Sequence, residues 1–90
     1  MLHEKLNQKF LKDGKIIRWP KKSVDKKSIL YYISTKIQSN KKISEKEINE
    51  IIIKNISFED YALIRRELIE GNFLNRTKDC REYWKEDTTQ

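Results

Sequence analysis

The sequence predicts a mostly helical α+β domain, a winged helix-turn-helix preceded by an N-terminal helix and an extended segment. Three observations predict it: serine-capped helix starts at Ser44 and Ser57, a stop at Gly71-Asn72, and two β-prone segments after that stop. Ninety residues make one domain; at that size only about 60–65% of the unfolded surface is buried, so the core must be tight. Two glycines, one proline and no Gly/Ser-rich stretch leave no sign of an internal linker. The expected organisation is a single domain over 1–90, with an N-terminal helix and extended arm over 1–20, a winged-helix core over 23–85 and a frayed tail over 86–90.

Leu2, Leu6 and Phe10 recur every four residues, which predicts a short amphipathic helix over 2–11, broken at Asp13-Gly14. Lys15-Ile16-Ile17-Arg18-Trp19 is β-prone and ends at Pro20, as an edge strand does. A helix is expected from about Ser23 to Ser39, with Leu30, Ile33 and Ile37 on one face, Ile29 beside them and Asp25 near its positive end. Ile43 suits a very short strand.

Ser44 with Glu47 forms a capping box, and Ile43 with Ile48 a hydrophobic staple, which predicts a helix over 45–54. Ser57 with Asp60 and Ile56 with Tyr61 repeat the pattern less well, which predicts a helix over 58–70. A gap of three or four residues between them is helix-turn-helix spacing. The second helix stops at Gly71-Asn72, where a left-handed residue is expected. Phe73–Thr77 and Cys80–Lys85 then read as strands joined through Lys78-Asp79, with Cys80 an inert strand residue.

Charge narrows the functional classes. In residues 1–43, eleven lysines and Arg18 stand against Glu4, Asp13 and Asp25, a net +9, while eight cations against eleven acids leave 44–90 at −3. A basic chain attracts polyanions such as nucleic acid. The same bias towards Lys, Ile and Asn is also what an AT-rich genome produces, so charge alone does not name a partner. A lone Cys80 forms no internal disulfide and a lone His3 no metal set; together they suit a reducing, cytoplasmic setting and leave no metal or cofactor expected. No apolar run approaches the roughly 18–20 residues of a membrane span, so no membrane partner is expected. Without a Ser/His/Asp or Cys/His set or a Gly-rich phosphate loop, the chain is not expected to be an enzyme.

A helical projection of 58–70 turns Tyr61, Ile64 and Leu68 inward and Glu59, Ala62, Leu63, Arg66 and Glu70 outward. Arg66 suits a guanine edge, and Ala62 or Leu63 a thymine methyl. Arg65, beside Arg66 on the same helix, is also a candidate DNA contact; its duller reading, four residues after Tyr61, is a structural one in which it stacks on that ring. Arg76, Lys78 and Arg81 on the hairpin, with Lys41, Lys42 and Lys46 near the first helix of the pair, complete the candidate DNA contacts. Against this, Glu59, Asp60, Glu67 and Glu70 outnumber Arg65 and Arg66 along 58–70. Trp19, Tyr31, Tyr32, Tyr83 and Trp84 are read as core or core-edge aromatics. The alternative is a homodimer or an interface with a regulatory protein, built from Leu63 and Ala62 or from Leu2, Leu6 and Phe10.

Asp60-Tyr61-Ala62 followed by Arg65-Arg66-Glu67-Leu68, then Leu74, Arg76, Tyr83 and Trp84, resembles an uncharacterised bacterial family, domain of unknown function 2087. The resemblance runs from about Phe10 through Lys85, taking in Phe10-Leu11, Gly14 and the Ser44–Ile51 stretch. Such proteins are lone domains or domains appended to a helix-turn-helix in longer chains described as transcriptional regulators. The resemblance therefore implies a regulatory context and no particular activity. This chain departs from the pattern in having no second helix-turn-helix and no glycine in its hairpin turn. The expected function is DNA binding in transcription regulation, with double-stranded DNA as partner.

Overall fold

In the computed structural model, which describes residues 9–86, a hairpin follows: residues 9–11, the end of the helix expected over 2–11, form a turn and the start of a strand, and the rest of that expected helix lies outside the described residues. Strands β1 (Leu11–Lys12) and β2 (Lys15–Ile16) pair antiparallel across Asp13-Gly14. Both turn residues have positive φ, 54° and 79°, as a two-residue turn matching the strand twist requires. Asp13-Gly14 is thus a hairpin turn and not a helix stop. Phe10 extends the ladder, its carbonyl accepting from the Ile17 amide at 2.8 Å, and its side chain is buried in this domain's own core. That burial takes Phe10 out of any exposed interaction stripe; Leu2 and Leu6 lie outside the described residues.

Helix α1 (Ser23–Ser34) stops five residues short of the expected Ser39. The Ser34 hydroxyl donates to the Tyr31 carbonyl at 2.7 Å and the Thr35 hydroxyl to that of Tyr32, competing with the helix ladder. The Lys36 and Ile37 amides then reach back only three residues, and Asn40 turns left-handed. Ile29, Leu30 and Ile33 still face the core, as does Ile37 beyond the helix end.

After β3 (Ile43–Ser44), α2 (Glu45–Lys54) begins where the capping box places it. The Glu47 amide donates to Ser44 Oγ at 3.1 Å, and the Ser44 amide donates to Glu47 Oε1 at 3.1 Å. Ser44→Ala is expected to cost about 1 kcal/mol and lower the midpoint of a circular-dichroism melt by about 4–8 °C.

Helix α3 (Tyr61–Glu70) starts three residues later than its serine signal suggests, and its cap is Asp60, which accepts from the Leu63 amide at 3.2 Å. The reason lies in the first hairpin. Ile16 is fully buried, its amide donating to the Asn55 carbonyl and its carbonyl accepting from the Ser57 amide, both at 2.8 Å. That pairing holds 56–57 extended and points Ser57 Oγ at the same Ile16 carbonyl, so Ser57 cannot cap a helix. The corner is residues 55–60, longer than three or four.

The α3 stop is a Schellman motif: the Phe73 amide donates to the Leu68 carbonyl at 2.9 Å and the Asn72 amide to that of Ile69 at 3.1 Å. The left-handed residue is Asn72, with φ 66°, while Gly71 sits where a Cβ would come within 3.1–3.2 Å of the Phe73 ring and the Glu67 carbonyl. Strands β4 (Asn75–Arg76) and β5 (Glu82–Trp84) follow, in an antiparallel sheet of order β3-β5-β4. Tyr83 lies opposite Ile43 on one side and Arg76 on the other. Cys80 belongs to the turn and not to a strand: its φ is 60° and its amide donates to the Thr77 carbonyl at 3.0 Å.

Ile16, Ile29, Ile33, Ile48, Ile52, Ile64, Leu68, Leu74 and Tyr83 form the centre of the core. The result, among the described residues, is a small α+β domain with two antiparallel sheets. Tyr31, read as a core-edge aromatic, is instead 43% exposed, whereas Trp19, Tyr32 and Trp84 are half-buried. Among the described residues, no helix is long and apolar enough to cross a membrane.

Candidate nucleic-acid interface

Helix α3 packs on α2 and α1 with Ile64 and Leu68 buried, and its Ala62, Arg66 and Glu70 side shares a groove with the β4–β5 ribbon. Between them runs a groove of about 290 Å³ lined chiefly by Ala62, Arg65, Arg66, Glu70, Arg76 and Glu45. Three of the arginines singled out in the sequence therefore meet along one channel, with two glutamates among them.

The three arginines differ in their freedom. Arg65 is half-buried and Nη1 donates to Asn49 Oδ1, a tie from α3 to α2. Its hydrogen-bond partner is thus Asn49, where the sequence suggested the ring of Tyr61. Arg66 is exposed one residue on. Arg76 donates through Nη1 to the Thr77 carbonyl at 3.2 Å and to Cys80 Sγ at 3.1 Å, which steadies its guanidinium against the turn. A planar guanidinium matches phosphate or a base edge in a way that an ammonium does not.

The floor of the groove is polar and ordered. Tyr83 Oη donates to Glu45 Oε1 at 3.4 Å, and burial, with the Glu45 carboxylate second, raises the Tyr83 phenol above its usual range. Tyr83 therefore stays neutral at physiological pH. Its raised folded value contributes stability below the unfolded one, lost as pH climbs through the folded value.

Of the remaining candidates within the described residues, Ala62 lines the groove, Phe10 is buried in the core, and the others lie outside the groove lining. Lys41, Lys42 and Lys46 are exposed. Lys42 Nζ lies 5.5 Å over the Trp84 ring and 3.9 Å from a Glu82 carboxylate oxygen, so its charge rests on the sheet. Lys78 and Arg81 are exposed at the ribbon tip, Arg81 Nε standing 3.6 Å from Asp79 Oδ2. Leu63 is half-buried, its amide engaged by the Asp60 cap, and Ala62 is half-buried at the groove edge.

The tip is built on Asp79. Thr77 Oγ1 donates to Asp79 Oδ1 at 2.6 Å and the Arg81 amide donates to the same oxygen at 3.1 Å, holding the carboxyl below its ordinary range. A depressed value means that the turn gains from the ionised form and loses that gain as pH falls through the folded pKa. The Thr77 and Arg81 amide resonances are expected to shift on acidification below about pH 4, and Asp79→Asn is expected to remove that response.

Asn49, Glu45 and Tyr83 are site residues that reading the sequence by segment misses. Asn49 had one signal, a polar residue beside Ile48 and Ile52 on the packed face of α2. Glu45 and Tyr83 come from segments 38 residues apart and had none.

The family described as an uncharacterized protein conserved in bacteria, DUF2087, matches residues 15–85. That span takes in β2, all three helices, the sheet and the groove. No curated protein and no solved structure matches the chain. With most of its length matched, the chain belongs to the DUF2087 family.

Proposed function

We propose that this is a winged-helix domain that binds double-stranded DNA in a transcription-regulatory role, α3 entering the major groove and the β4–β5 ribbon lying along the backbone. The observation that carries the reading is the gathering of Arg65, Arg66 and Arg76 along one groove between helix and ribbon. Two features support it. Helix, short strand, helix, helix and a two-stranded ribbon follow in the order of a winged helix, with the short strand pairing the second ribbon strand. With α3 starting at Tyr61, Glu59 and Asp60 fall outside the helix, so Arg65 and Arg66 face only Glu67 and Glu70 on it.

In this reading Arg66 reads a base edge, Arg76 meets a phosphate, and Arg65 aligns α3 through Asn49. The experiment is fluorescence anisotropy with a labelled random duplex. Binding at about 50 mM salt that weakens steeply as salt rises is expected, because counterion release dominates non-specific affinity. No binding at that salt, with self-association abolished by Leu63→Asp, would overturn the DNA reading in favour of a protein-interaction module.

A further inference from the structure

The distribution of charge over the folded chain is lopsided in a way the groove does not explain. Residues 37–86, which hold the helix pair and the ribbon, carry ten Lys and Arg against ten Asp and Glu, a net of zero. Residues 9–36, the first hairpin and α1, carry nine Lys and Arg against Asp13 and Asp25, a net of +7. All nine are exposed except Lys26, which is half-buried with Nζ 5.9 Å over the Trp19 ring.

The hairpin concentrates this charge. Lys12 and Lys15 are direct partners across the two-residue turn, both exposed. Like charges opposite each other destabilise a strand pair. The hairpin tip is also fixed in place. Tyr32 Oη donates to the Gly14 carbonyl at 2.8 Å, and Lys36 Nζ sits 4.8 Å over the same Tyr32 ring. Three lysines thus flank one anchored turn, Lys36 through its contact with Tyr32 and Lys12 and Lys15 as the strand residues on either side, with Asp13 the acid within it.

We propose that the Asp13-Gly14 hairpin is a second phosphate-binding element, in which Lys12, Lys15 and Lys36 clasp the backbone of a duplex. The proposal rests on the DNA-binding reading above and supplies the charge that the neutral helix pair and ribbon lack. The phosphates offset the repulsion between Lys12 and Lys15, so a feature that costs stability in the free chain becomes favourable in the complex.

The test is the salt dependence of binding to a labelled random duplex by the full chain. Each phosphate contact contributes about 0.9 to the slope of log K against log salt, so the triple variant Lys12→Gln, Lys15→Gln, Lys36→Gln is expected to lose about 2–3 from that slope. The pair Lys12→Gln with Lys15→Gln is expected to bind more weakly yet melt at a higher temperature than the parent. That opposition does not arise from a role in folding alone, and the pair leaves the Lys36–Tyr32 contact untouched. An unchanged slope in variants that still bind duplex overturns the hairpin element and leaves the α3 reading standing. A reduced slope here, with no effect of Arg66→Ala, supports the hairpin and removes α3 as the reader. No duplex binding by the parent chain removes both. Polyglutamate binding as tight as duplex binding at equal ionic strength overturns the clasp as a DNA element and assigns it to acidic proteins.

Discussion

Ile16→Ala is expected to destabilise the folded chain by about 2–5 kcal/mol, the cost of emptying a fully buried isoleucine site. A domain of this size has only about 5–15 kcal/mol in hand, so the variant should be substantially less cooperative or partly unfolded on mild heating. The effect is large because Ile16 does two things at once. Its side chain lies at the centre of the core, and its backbone links the first hairpin to the 55–60 corner through the Asn55 carbonyl and the Ser57 amide. Truncation leaves the backbone bonds available while removing the packing that holds them in register. Urea denaturation of parent and variant, followed by tryptophan fluorescence, measures the loss. A shift corresponding to less than about 1 kcal/mol, the range of an Ile→Val change, would mean that the hairpin is only loosely seated on the helix pair.

Arg66→Ala combined with Arg76→Ala is expected to weaken duplex binding by about a hundredfold or more, each lost base or phosphate contact being worth about 1–3 kcal/mol. The reasoning is one of sign. The groove holds three arginines against Glu45 and Glu70, so removing two arginines leaves a net negative channel facing phosphate. Neither side chain is buried, so the variant should fold as the parent does. Arg65→Ala is the contrasting case: it breaks the tie to Asn49 and should lower stability as well as affinity. A double variant that binds within about threefold of the parent, below one 1.4 kcal/mol step, would remove the groove as the contact surface.

The capped segments were the most legible part of the chain. Ser44, Glu47, Ile43 and Ile48 lie within six residues and specify α2 by local chemistry alone, and the structure begins and ends that helix where the pattern does. The Gly71-Asn72 stop is local in the same sense. What was not legible depends on partners distant in sequence. Ser57 has the residue type of a cap, but its amide and hydroxyl are taken by the Ile16 carbonyl, 41 residues away, and Asp60 caps instead. The first hairpin did have a local signal. Asp13-Gly14 is a favoured two-residue turn, and the four-residue spacing of Leu2, Leu6 and Phe10 drew Phe10 and Leu11 into an expected helix instead of the hairpin's first strand. In the site, Arg66 is recognisable from a helical projection, whereas Arg65's bond to Asn49 depends on how two helices dock.

A titration of the isotopically labelled chain with a random duplex, followed by amide chemical shifts, tests the duplex-binding account most directly. The expected map has its largest shifts at Arg65 and Arg66 on α3, along 76–81 of the ribbon, and at Lys12–Lys15. Shifts confined to the exposed Val24–Tyr31 side of α1, or none at saturating duplex, would contradict it.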